Sequence, residues 1–478
     1  MESLKIRNHS QTKIICTLGP ASGTKEMILK LVKAGMHVGR LNFSHSNHDE
    51  HGKKINIIKE INKQLKTNVS ILLDTKGPEI RLGEFVNGGA MLSKNQVVTI
   101  CVDDILGTSD RFTVMYKDLY RDVKPNSLIL INDGQLELVV DDIKEKDIVC
   151  TCKNTGVIRD KQGINVPGIT LGFEYLSEKD VKDIIFGCEQ EVDFIAASFV
   201  RRAQDVIDLK KVIIENGHRE IQVIAKIENS EGVKNIDQIL KVADGIMIAR
   251  GDLGVEVPAE EVPLIQKELI RKCKDMGKIV ITATQMLESM QENPRPTRAE
   301  VSDVANAIFD GTDAIMLSGE SAQGKYPEEA VMTMSKIAIK TEAVLDYTSL
   351  QRSARKTAPN DSSEAICMSV AEIAYKFDVR AIIAFTTSGL TAKKMSRYRP
   401  KSLIIATTPF EKTTKLLSLN WGVRAVLCKQ METRASMIEY AQIIAKENGI
   451  EAGQKIIITA GASGTNGTTS FLELIEIM

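Results

Sequence analysis

The stretch VIAKIENSEG, residues 223–232, places two charged side chains in an otherwise apolar run. Lys226 and Glu228 stand two positions apart, so in a β-strand both side chains leave the same face. Burying a charge is costly unless a partner compensates for it. The stretch alone therefore leaves two interpretations open: a buried ion pair, or two residues that act on a substrate.

Polar residues also follow the other predicted strands at their carboxyl ends. They are Arg40, Asn42, Ser44, His45, Asp74, Thr75, Lys76, Glu79, Arg250, Gly251, Asp252, Thr282, Thr284, Ser318 and Glu320. Some have local alternatives, since Asn42 and Ser44 are common turn formers and Thr284 could simply pack. The functional interpretation is favoured because all of them fall at one end of one predicted barrel, where TIM barrels hold their active sites.

These side chains divide by chemistry into one group for phosphate and two groups for cations. Arg40, Arg81 and Lys226 are cations suited to phosphate. Glu228 and Asp252 are hard oxygen donors, and two carboxylates with water and substrate oxygens commonly hold Mg²⁺. The oxygen-rich group of low charge, which suits a monovalent cation, comprises Asn42, Ser44, Asp74 and the carbonyl of Thr75.

Three histidines and one turn add two further expectations. His45, His48 and His51 suggest a metal site, but the stretch is polar and lies near a helix start, so we expect His48 and His51 on the solvated surface. The turn at Gly251 and Asp252 offers backbone N–H groups to a substrate carboxylate at the start of a helix.

A repeated strand-and-helix pattern must position these residues. Between residues 11 and 75, and again between 170 and 345, short β-branched strands end in polar clusters and amphipathic helices follow. The predicted strands are KIICTLGP, MHVGRLNFSH, VSILLDTKGPE, VDFIAASFVR, IQVIAKIENSE, DGIMIARGDLG, KIVITATQM and DAIMLSGES. Parallel β/α units in this number predict a TIM (β/α)8 barrel; a doubly wound sheet is the alternative, but the regular spacing favours closure.

Local patterns mark the ends of the predicted helices. Ser177 with Asp180, and Thr297 with Glu300, fit capping boxes at helix N-termini. The glycines that fit helix C-termini are Gly35, Gly187, Gly217 and Gly277.

The remaining sequence breaks the β/α pattern twice. Residues 79–166 carry the short strands QVVTICV, SLILIN, QLELVV and DIVCTC, which predict a small all-β domain able to move as a lid. From about residue 360 the α/β pattern resumes as a C-terminal domain, and the polar segment 348–360 predicts a linker. The expected domains are 1–78 with 167–347 for the barrel, 79–166 for the lid, and 348–478 for the C-terminal domain.

Overall composition narrows the class of protein. The chain has 478 residues, 43% of them hydrophobic, which predicts roughly two to four domains with real cores. Its 62 basic residues nearly cancel 63 acidic ones, which argues against nucleic acid as a partner. The N-terminus is a poor match to a secretory signal, and the sequence has no long apolar run and no CxxC among its scattered cysteines. We therefore expect a reduced, cytoplasmic protein without membrane contact. Cys150 and Cys152 are expected as half-buried thiols.

Several long motifs occur together and in order along the chain. They are RLNFSH, LDTKGPEIR, VIAKIENSEGV, MIARGDLGVE, TATQMLESM, RPTRAEVSDVANAIFDGTDAIMLSGESA and SRYRP. This set resembles the pyruvate kinase family over nearly the whole length. The resemblance implies a barrel, an inserted lid and a C-terminal regulatory domain. It also implies transfer of a phosphoryl group from phosphoenolpyruvate to ADP, giving pyruvate and ATP in the last step of glycolysis, and a homotetramer.

The resemblance assigns a role to most of the strand-end residues. Arg40 and Lys226 would neutralise the moving phosphoryl group, and Glu228 and Asp252 would hold Mg²⁺ or Mn²⁺, with a second Mg²⁺ arriving with the nucleotide. The substrate would also contact Gly251. The K⁺ ligands would be Asn42, Ser44, Asp74 and Thr75. The nucleotide would meet Asn42, His45, Arg81 and Lys161. Protonation of the enolate would involve Thr284, Ser318 and Glu320.

Two positions bear on how closely the chain follows the family. Glu79 stands where, in this family, a Glu accompanies K⁺ dependence and a Lys substitutes for the cation, so we expect K⁺-dependent activity. In the stretch DKQGINVPG, Gln162 stands where the family often has a Lys. Lys161, one residue earlier, is the alternative lid contact to the nucleotide.

The stretch FTTSGLTAKK, residues 385–394, follows a strand and opens a helix. Its hydroxyls and backbone N–H groups predict a phosphate-binding turn, although a helix N-cap explains them equally well locally. The resemblance favours an effector site for a sugar phosphate such as fructose 1,6-bisphosphate, or for AMP. Its residues would be Thr386, Thr387, Ser388, Gly389, Thr391, Gly464 and Thr465.

Two other functions remain as alternatives. A barrel lyase or aldolase that acts on pyruvate-like substrates with Mg²⁺ would explain Glu228 and Asp252, but not the K⁺ group or the lid. A catalytically silent effector-binding protein would not need Lys226 and Thr284.

Overall fold

The structure, a computed structural model, describes residues 10–431, 433–461 and 469–478. Its centre is a closed barrel of parallel strands that follow one another around the ring in chain order. The strands are Lys13–Thr17, Val38–Asn42, Ser70–Asp74, Phe194–Ala197, Gln222–Ile227, Gly245–Ala249, Ile279–Ala283 and Ala314–Leu317. The ring closes because the first strand pairs with both the second and the eighth. The predicted TIM barrel is confirmed, and the doubly wound sheet is excluded.

Alternate residues of the barrel strands face different surroundings. One buried cluster lies inside the barrel and takes residues such as Val38, Leu72, Ile224 and Met247. Their strand neighbours pack against the outer helices in a second cluster. Because side chains alternate along a strand, the residues two and four positions beyond Ile224 also point into the barrel.

The helices form a layer around the barrel. In chain order they are Lys25–Ala34, His48–Leu65, Glu178–Glu189, Ala203–Glu215, Ser230–Lys234, Ile236–Val242, Arg250–Glu256, Val262–Met276, Arg298–Asp310, Gly319–Ala322 and Pro327–Glu342, with the 3-10 turns Pro20–Ser22 and Glu288–Gln291. Both predicted capping boxes are present. The expectation for Gly187 is wrong, because it lies inside a helix, where a Cβ atom would come within 2.7 Å of Leu73.

The lid is an all-β unit between the third and fourth barrel strands. Its main sheet has the strand order Ile80–Arg81, Gly163–Asn165, Leu128–Ile131, Leu136–Lys144, Asp147–Cys152, Val97–Cys101 and Arg111–Thr113. A second sheet pairs Gly89–Leu92 with Gly156–Arg159, and a short helix spans Leu119–Asp122. Cys150 and Cys152 are fully buried in its core, so the expectation of half-buried thiols is wrong.

The C-terminal part carries a sheet with the order Val423–Leu427, Leu403–Thr408, Ala381–Phe385, Lys455–Ala460 and Phe471–Glu476, of which the last strand is antiparallel. Its helices are Tyr347–Thr357, Ser362–Lys376, Leu390–Arg397, Glu411–Leu416 and Arg434–Glu447. The predicted linker is wrong, because its polar residues form the first of these helices and bury Gln351 and Ala354. No helix in the described part of the chain combines the length and apolar character needed to cross a bilayer.

The C-terminal domain covers the amino-terminal end of the barrel. Leu419 is fully buried within the cluster that fills the barrel interior. Around it, Arg399 pairs with Asp313 at 2.7 Å, just before the eighth strand. Lys412 pairs with Asp193 at 3.3 Å, just before the fourth. These contacts leave the carboxyl end of the barrel, on which the lid stands, as the accessible end.

Candidate active site

The charged residues at the carboxyl end belong to the inward-facing set of strand positions. Lys226 and Glu228 continue the inward series of the fifth strand, which includes Ile224. Arg40 lies two positions after the inward residue Val38 of the second strand, and Asp74 lies two positions after the inward residue Leu72 of the third. The tertiary structure therefore brings four strand-end charges from three strands into one buried space.

Asp74 is the point at which two cations meet. Arg40 donates its Nε–H to one carboxylate oxygen at 2.6 Å, and Lys226 donates to the other at 3.1 Å. Burial by itself raises the pKa of Asp74, but the charges of Arg40 and Lys226 outweigh it and hold this pKa below the ordinary value. Asp74 is therefore a fixed anion that orients both cations.

Glu228 accepts from Lys226 at 3.0 Å and from the backbone N–H of Phe199 at 2.6 Å. Burial raises its pKa to about 7, against the lowering effect of Lys226, and the nearby Asp252 adds to the rise. For Lys226, burial lowers the pKa, but Asp74 and Glu228 more than compensate and leave it above the ordinary value. Lys226 is thus held as a cation, whereas burial and Asp252 oppose the ionisation of Glu228.

Ser198, which the sequence analysis did not single out, joins this network. Its hydroxyl lies 2.8 Å from Lys226 Nζ and 3.0 Å from Asp74 Oδ1, and it donates to the carbonyl of Thr75 at 2.6 Å. It is the inward residue at the end of the fourth strand, VDFIAASFVR, so the parity that marks Lys226 would also have found it.

The four predicted K⁺ ligands lie at the ends of neighbouring strands. Asn42 and Asp74 are register partners between the second and third strands. The side-chain oxygen of Asn42 accepts the N–H of the exposed Ser44 at 3.0 Å. Of these residues, Asp74 contacts both Arg40 and Lys226. The oxygens of Asn42, Ser44 and Asp74 with the carbonyl of Thr75 are called the oxygen-rich patch below. The K⁺ assignment itself stays a prediction.

Thr284 lies at the end of the seventh strand with a left-handed backbone, φ +66°. Its hydroxyl oxygen accepts the N–H of Gly251 at 2.8 Å and donates to the carbonyl of Ala283 at 2.6 Å. The side chain of Arg250 donates to the carbonyl of Thr284 at 2.7 Å. The ends of the sixth and seventh strands are thereby joined at Thr284, and Asp252 lies on the helix that begins at Arg250.

Glu320 is buried, and backbone amides occupy its carboxylate oxygens. It accepts from Leu287 at 3.0 Å and from Ser318 at 2.7 Å. Burial raises its pKa, although these backbone donors work in the opposite direction. Glu320 thus ties the segment after the seventh strand to the end of the eighth; its part in a proton relay stays a prediction.

The predicted nucleotide contacts spread over the barrel and the lid. Arg81 pairs with Glu79 at 2.7 Å and donates to the carbonyl of Lys161 at 2.8 Å. The ammonium group of Lys161 pairs instead with Glu84 of the lid at 2.8 Å. The side chain of Gln162 accepts a lid backbone N–H and so closes a turn within the lid.

The histidine expectation is only partly met. His45 is exposed on the segment after the second strand. His51 is buried and stacks on Phe43 with ring centroids 4.1 Å apart, so its expected place on the surface is wrong. His48 lies 2.7 Å from a carboxylate oxygen of Asp183. Within the described ranges, no three His, Cys, Asp or Glu side chains are grouped to hold a metal.

A cleft between the lid and the barrel opens onto this end. Its lining includes Glu79, Asn165, Phe199, Arg201, Asp252 and Glu256. Asn165 of the lid donates to Glu256 of the barrel at 3.1 Å, and Arg201 donates at 2.8 Å to the carbonyl of Leu171, which lies in the segment that follows the lid and packs against the lid core. The lid is therefore held at the edge of the charged site by a few polar contacts.

The predicted effector residues lie at the start of helix Leu390–Arg397. Thr386 accepts the N–H of Gly389 at 3.0 Å, and the carbonyl of Thr387 accepts from Thr413 at 2.9 Å. Ser388 is exposed, and Thr391 is buried against Thr469. Gly464 and Thr465 lie outside the described residues.

Comparisons with known proteins decide between the candidate functions. The family model for the pyruvate kinase barrel domain matches residues 9–331, and that for the pyruvate kinase alpha/beta domain matches residues 364–475. The chain belongs to the pyruvate kinase family.

Relatives support the family assignment along the whole chain. A pyruvate kinase from Staphylococcus haemolyticus is 49% identical and covers 97% of this chain and 80% of its own length. One from Clostridium perfringens is 48% identical over 98% of this chain and 100% of its own. The crystal structure of a pyruvate kinase from Cryptosporidium parvum superimposes with a TM-score of 0.94 at 38% identity, covering 98% of this chain and 96% of that chain.

The family is one of phosphotransferases that act in glycolysis. Its members use phosphoenolpyruvate and ADP, release pyruvate and ATP, and need a divalent metal ion. The comparisons therefore favour a phosphotransferase over both a barrel lyase and a silent effector-binding protein. The function predicted from the motifs is confirmed at the level of the family.

Proposed function

We propose that the residues at the carboxyl end of this barrel carry out phosphoryl transfer from phosphoenolpyruvate to ADP. One observation carries the proposal: Arg40, Asp74, Lys226 and Glu228 form a continuous buried chain of charges on the inward face. Positioning and charge neutralisation are the main demands of phosphoryl transfer.

Arg40 and Lys226 would bind the oxygens of the moving phosphoryl group. Both are held by the same buried carboxylate, Asp74, and so need no reorganisation when negative charge spreads over those oxygens. Lys226 stays protonated because its pKa lies above the ordinary value. The ammonium group would also stabilise the enolate that remains after transfer.

Glu228 and Asp252 would hold a divalent ion, Mg²⁺ or Mn²⁺. The pair fits such an ion: both are hard oxygen donors, and Asp252 is close enough to raise the pKa of Glu228. When bound, the ion would neutralise charge on the phosphate and enolate oxygens. Substrate oxygens and water would complete its ligands, since the protein offers two carboxylates here.

The oxygen-rich patch would hold K⁺. Asn42, Ser44, Asp74 and the carbonyl of Thr75 come from the ends of two paired strands. Asp74 already balances two cations, so the patch has little charge left to attract a divalent ion. Glu79, which pairs with Arg81, fits the same K⁺-dependent arrangement.

Protonation of the enolate would take place beside Thr284, whose hydroxyl is fixed by Gly251. Ser318 and Glu320 would support the proton path from the end of the eighth strand. The lid would close over the cleft and exclude water, which limits wasted hydrolysis of the phosphoryl donor. The nucleotide would contact Asn42, His45, Arg81 and Lys161.

Regulation and assembly complete the proposal. The turn at 386–391 would bind a phosphorylated effector, either a sugar phosphate or AMP, and four copies of the chain would associate as in the family. We also propose a cytoplasmic location, the three domains with the boundaries given above, and allosteric activation through the C-terminal domain.

A coupled assay of pyruvate formation from phosphoenolpyruvate tests the reaction. With Mg²⁺ and K⁺ present, pyruvate should form only when ADP is added. Pyruvate formation that does not depend on ADP would indicate a lyase, and none under either condition would indicate a silent effector-binding protein. Adding sugar phosphates or AMP to the same assay tests the effector site.

A further inference from the structure

We propose that Arg250 positions the hydroxyl of Thr284 for protonation of the enolate; this inference rests on the role proposed for Thr284. In that step C3 of the enolate forms a new C–H bond, and the enolate oxygen becomes the ketone carbonyl of pyruvate. The proton comes from a water molecule held by the Thr284 hydroxyl, whose own hydrogen is donated to the carbonyl of Ala283 at 2.6 Å, and solvent then restores it.

The backbone at Thr284 is strained, so something must hold it. Thr284 has φ +66°, and Gln285 follows it with φ +52°. Neither is a glycine, and a β-branched residue in the left-handed region is uncommon. Such strain persists only where surrounding contacts fix the conformation, and it concentrates at functional sites.

Arg250 supplies those contacts. One terminal nitrogen of its guanidinium group donates to the carbonyl of Thr284 at 2.7 Å and to that of Gln285 at 3.1 Å. The other pairs with Asp303 at 2.7 Å, and the side chain of Arg250 is only 10% exposed. The ion pair fixes the guanidinium group, which in turn holds the carbonyls of the two residues with a left-handed backbone.

The residue that follows Arg250 holds Thr284 from the other side. The backbone N–H of Gly251 donates to the Thr284 hydroxyl oxygen at 2.8 Å. A Cβ atom on Gly251 would lie 3.5 Å from that oxygen, which is an ordinary van der Waals distance, so the hydrogen bond itself does not require a glycine here. Two consecutive residues therefore fix the backbone and the hydroxyl of Thr284 together. Arg250 acts through Thr284 and is a positioning residue.

Arg399 provides a matched control at the opposite end of the barrel. It too is a buried arginine that pairs with a carboxylate, Asp313, and donates to backbone carbonyls, those of Gly311 and Thr312. It makes no contact with Thr284. Loss of Arg399 should lower stability without favouring one chemical step over another.

The test compares two rates in Arg250→Met, Arg250→Lys and Thr284→Ala. The first is exchange of the pyruvate methyl protons in D₂O, followed by NMR with Mg²⁺, K⁺ and ATP present. The second is single-turnover formation of ATP from phosphoenolpyruvate and ADP by rapid quench. In Arg250→Met we expect methyl exchange to slow at least about tenfold more than ATP formation. Arg250→Lys should recover part of the loss, and Arg399→Met should leave the ratio of the two rates unchanged.

Further outcomes distinguish a failure of the role proposed for Arg250 from a failure of the role proposed for Thr284. If Thr284→Ala does not slow methyl exchange selectively, the role proposed for Thr284 fails, and the inference with it. If Thr284→Ala does so but Arg250→Met slows both rates equally, only the role of Arg250 is overturned. Should Arg250→Met fail to fold, Asp303→Asn, which keeps the guanidinium group but loosens it, should shift the same ratio in the same direction, and an unchanged ratio would overturn the inference.

Discussion

Both ends of the barrel bury lysines, yet the pKa of the lysine is raised above its ordinary value at one end and lowered below it at the other. At the carboxyl end, the pKa of Lys226 is raised because Asp74 and Glu228 outweigh the effect of burial. At the amino-terminal end, burial lowers the pKa of Lys13 to about 8, and only Glu342 opposes it. Lys274, near the same end, also has its pKa lowered to about 8, chiefly by burial.

The difference lies in the partners rather than in the depth of burial. Lys13 donates to the carbonyl of Val423 at 2.7 Å, a neutral acceptor in the C-terminal domain. Lys226 has two carboxylates within 3.1 Å and a serine hydroxyl beside them. A lysine whose neighbours strengthen its hold on the proton is suited to an anionic substrate, whereas Lys13, whose pKa is lowered to about 8, joins the barrel to the C-terminal domain.

Replacing the lysine at the carboxyl end should have the largest effect. Lys226→Met should lower kcat by about a hundred- to a thousandfold, because a fixed positive charge at the phosphoryl group is lost. The fold should survive, since Glu228, with a pKa of about 7, takes up a proton when its partner is removed and Arg40 still pairs with Asp74. A coupled assay and thermal unfolding measure the two effects.

Lys13→Met is the control for that experiment, because it removes a buried lysine from the other end. Its kcat should stay near that of the unchanged protein. Near-normal turnover in Lys226→Met would remove Lys226 from the mechanism.

Truncating the side chain that fills the amino-terminal end of the barrel should lower stability without changing kcat. Leu419 is fully buried inside the barrel, so Leu419→Ala should lower the free energy of unfolding by about 2–5 kcal/mol. The measurement is the thermal midpoint together with kcat at a temperature where the variant is folded. Leu427→Ala, at a leucine that is 52% exposed, should change neither. A fall in kcat without loss of stability would show that the two ends are not independent.

The lowered pKa of Lys13 predicts a pH-dependent stability. Below pH 8 the group is protonated in both the folded and the unfolded state, and the folded state bears the cost of the buried charge. Between about pH 8 and 10.5 only the unfolded state keeps the proton, so stability rises with pH. The contribution is at most about 3 kcal/mol.

A comparison with Lys13→Met isolates this contribution. Urea midpoints give the free energy of unfolding of both proteins. As pH rises from 8 to 10.5, the unchanged protein should gain stability relative to the variant. A difference that is independent of pH would mean that Lys13 keeps an ordinary pKa in the folded state.

The smallest effect concerns the monovalent cation. The unchanged protein should lose most of its activity when K⁺ is replaced by a large organic cation. In Glu79→Lys the remaining activity should be at least about tenfold less sensitive to K⁺, because the ammonium group supplies the missing charge. Glu84→Lys, at the nearby lid residue that pairs with Lys161, should keep full K⁺ dependence. Equal K⁺ dependence in both variants would contradict the assignment of Glu79.

Parity along the strands was the most informative pattern in the sequence. It predicted that Lys226 and Glu228 share a face, and the structure places both inside the barrel. Ser198 obeys the same parity but was missed, because a serine after a strand is too common to stand out. Thr284 was found, but its support by Arg250 was not, since a left-handed backbone at a threonine leaves no mark in the sequence.

Other errors have a common cause in tertiary contacts. The segment 348–360 is polar enough to predict a linker, yet it forms a helix because Gln351 and Ala354 are buried against its surroundings. His51 lies in a polar stretch, yet it is buried by stacking on Phe43. In both cases the neighbours that decide the outcome cannot be identified from local composition.

The sequence by itself determined the β/α repeat, the polar strand ends and the family, because periodicity and motif order are local properties of the chain. Only the tertiary structure decided which charged side chains contact one another, and therefore how their pKa values shift. Lys226 and Asp74 are 152 residues apart in sequence and 3.1 Å apart in space. Electrostatic interactions depend on that second distance and on burial, so the raised pKa of Lys226 exists only once the closed barrel brings Asp74 and Glu228 beside it.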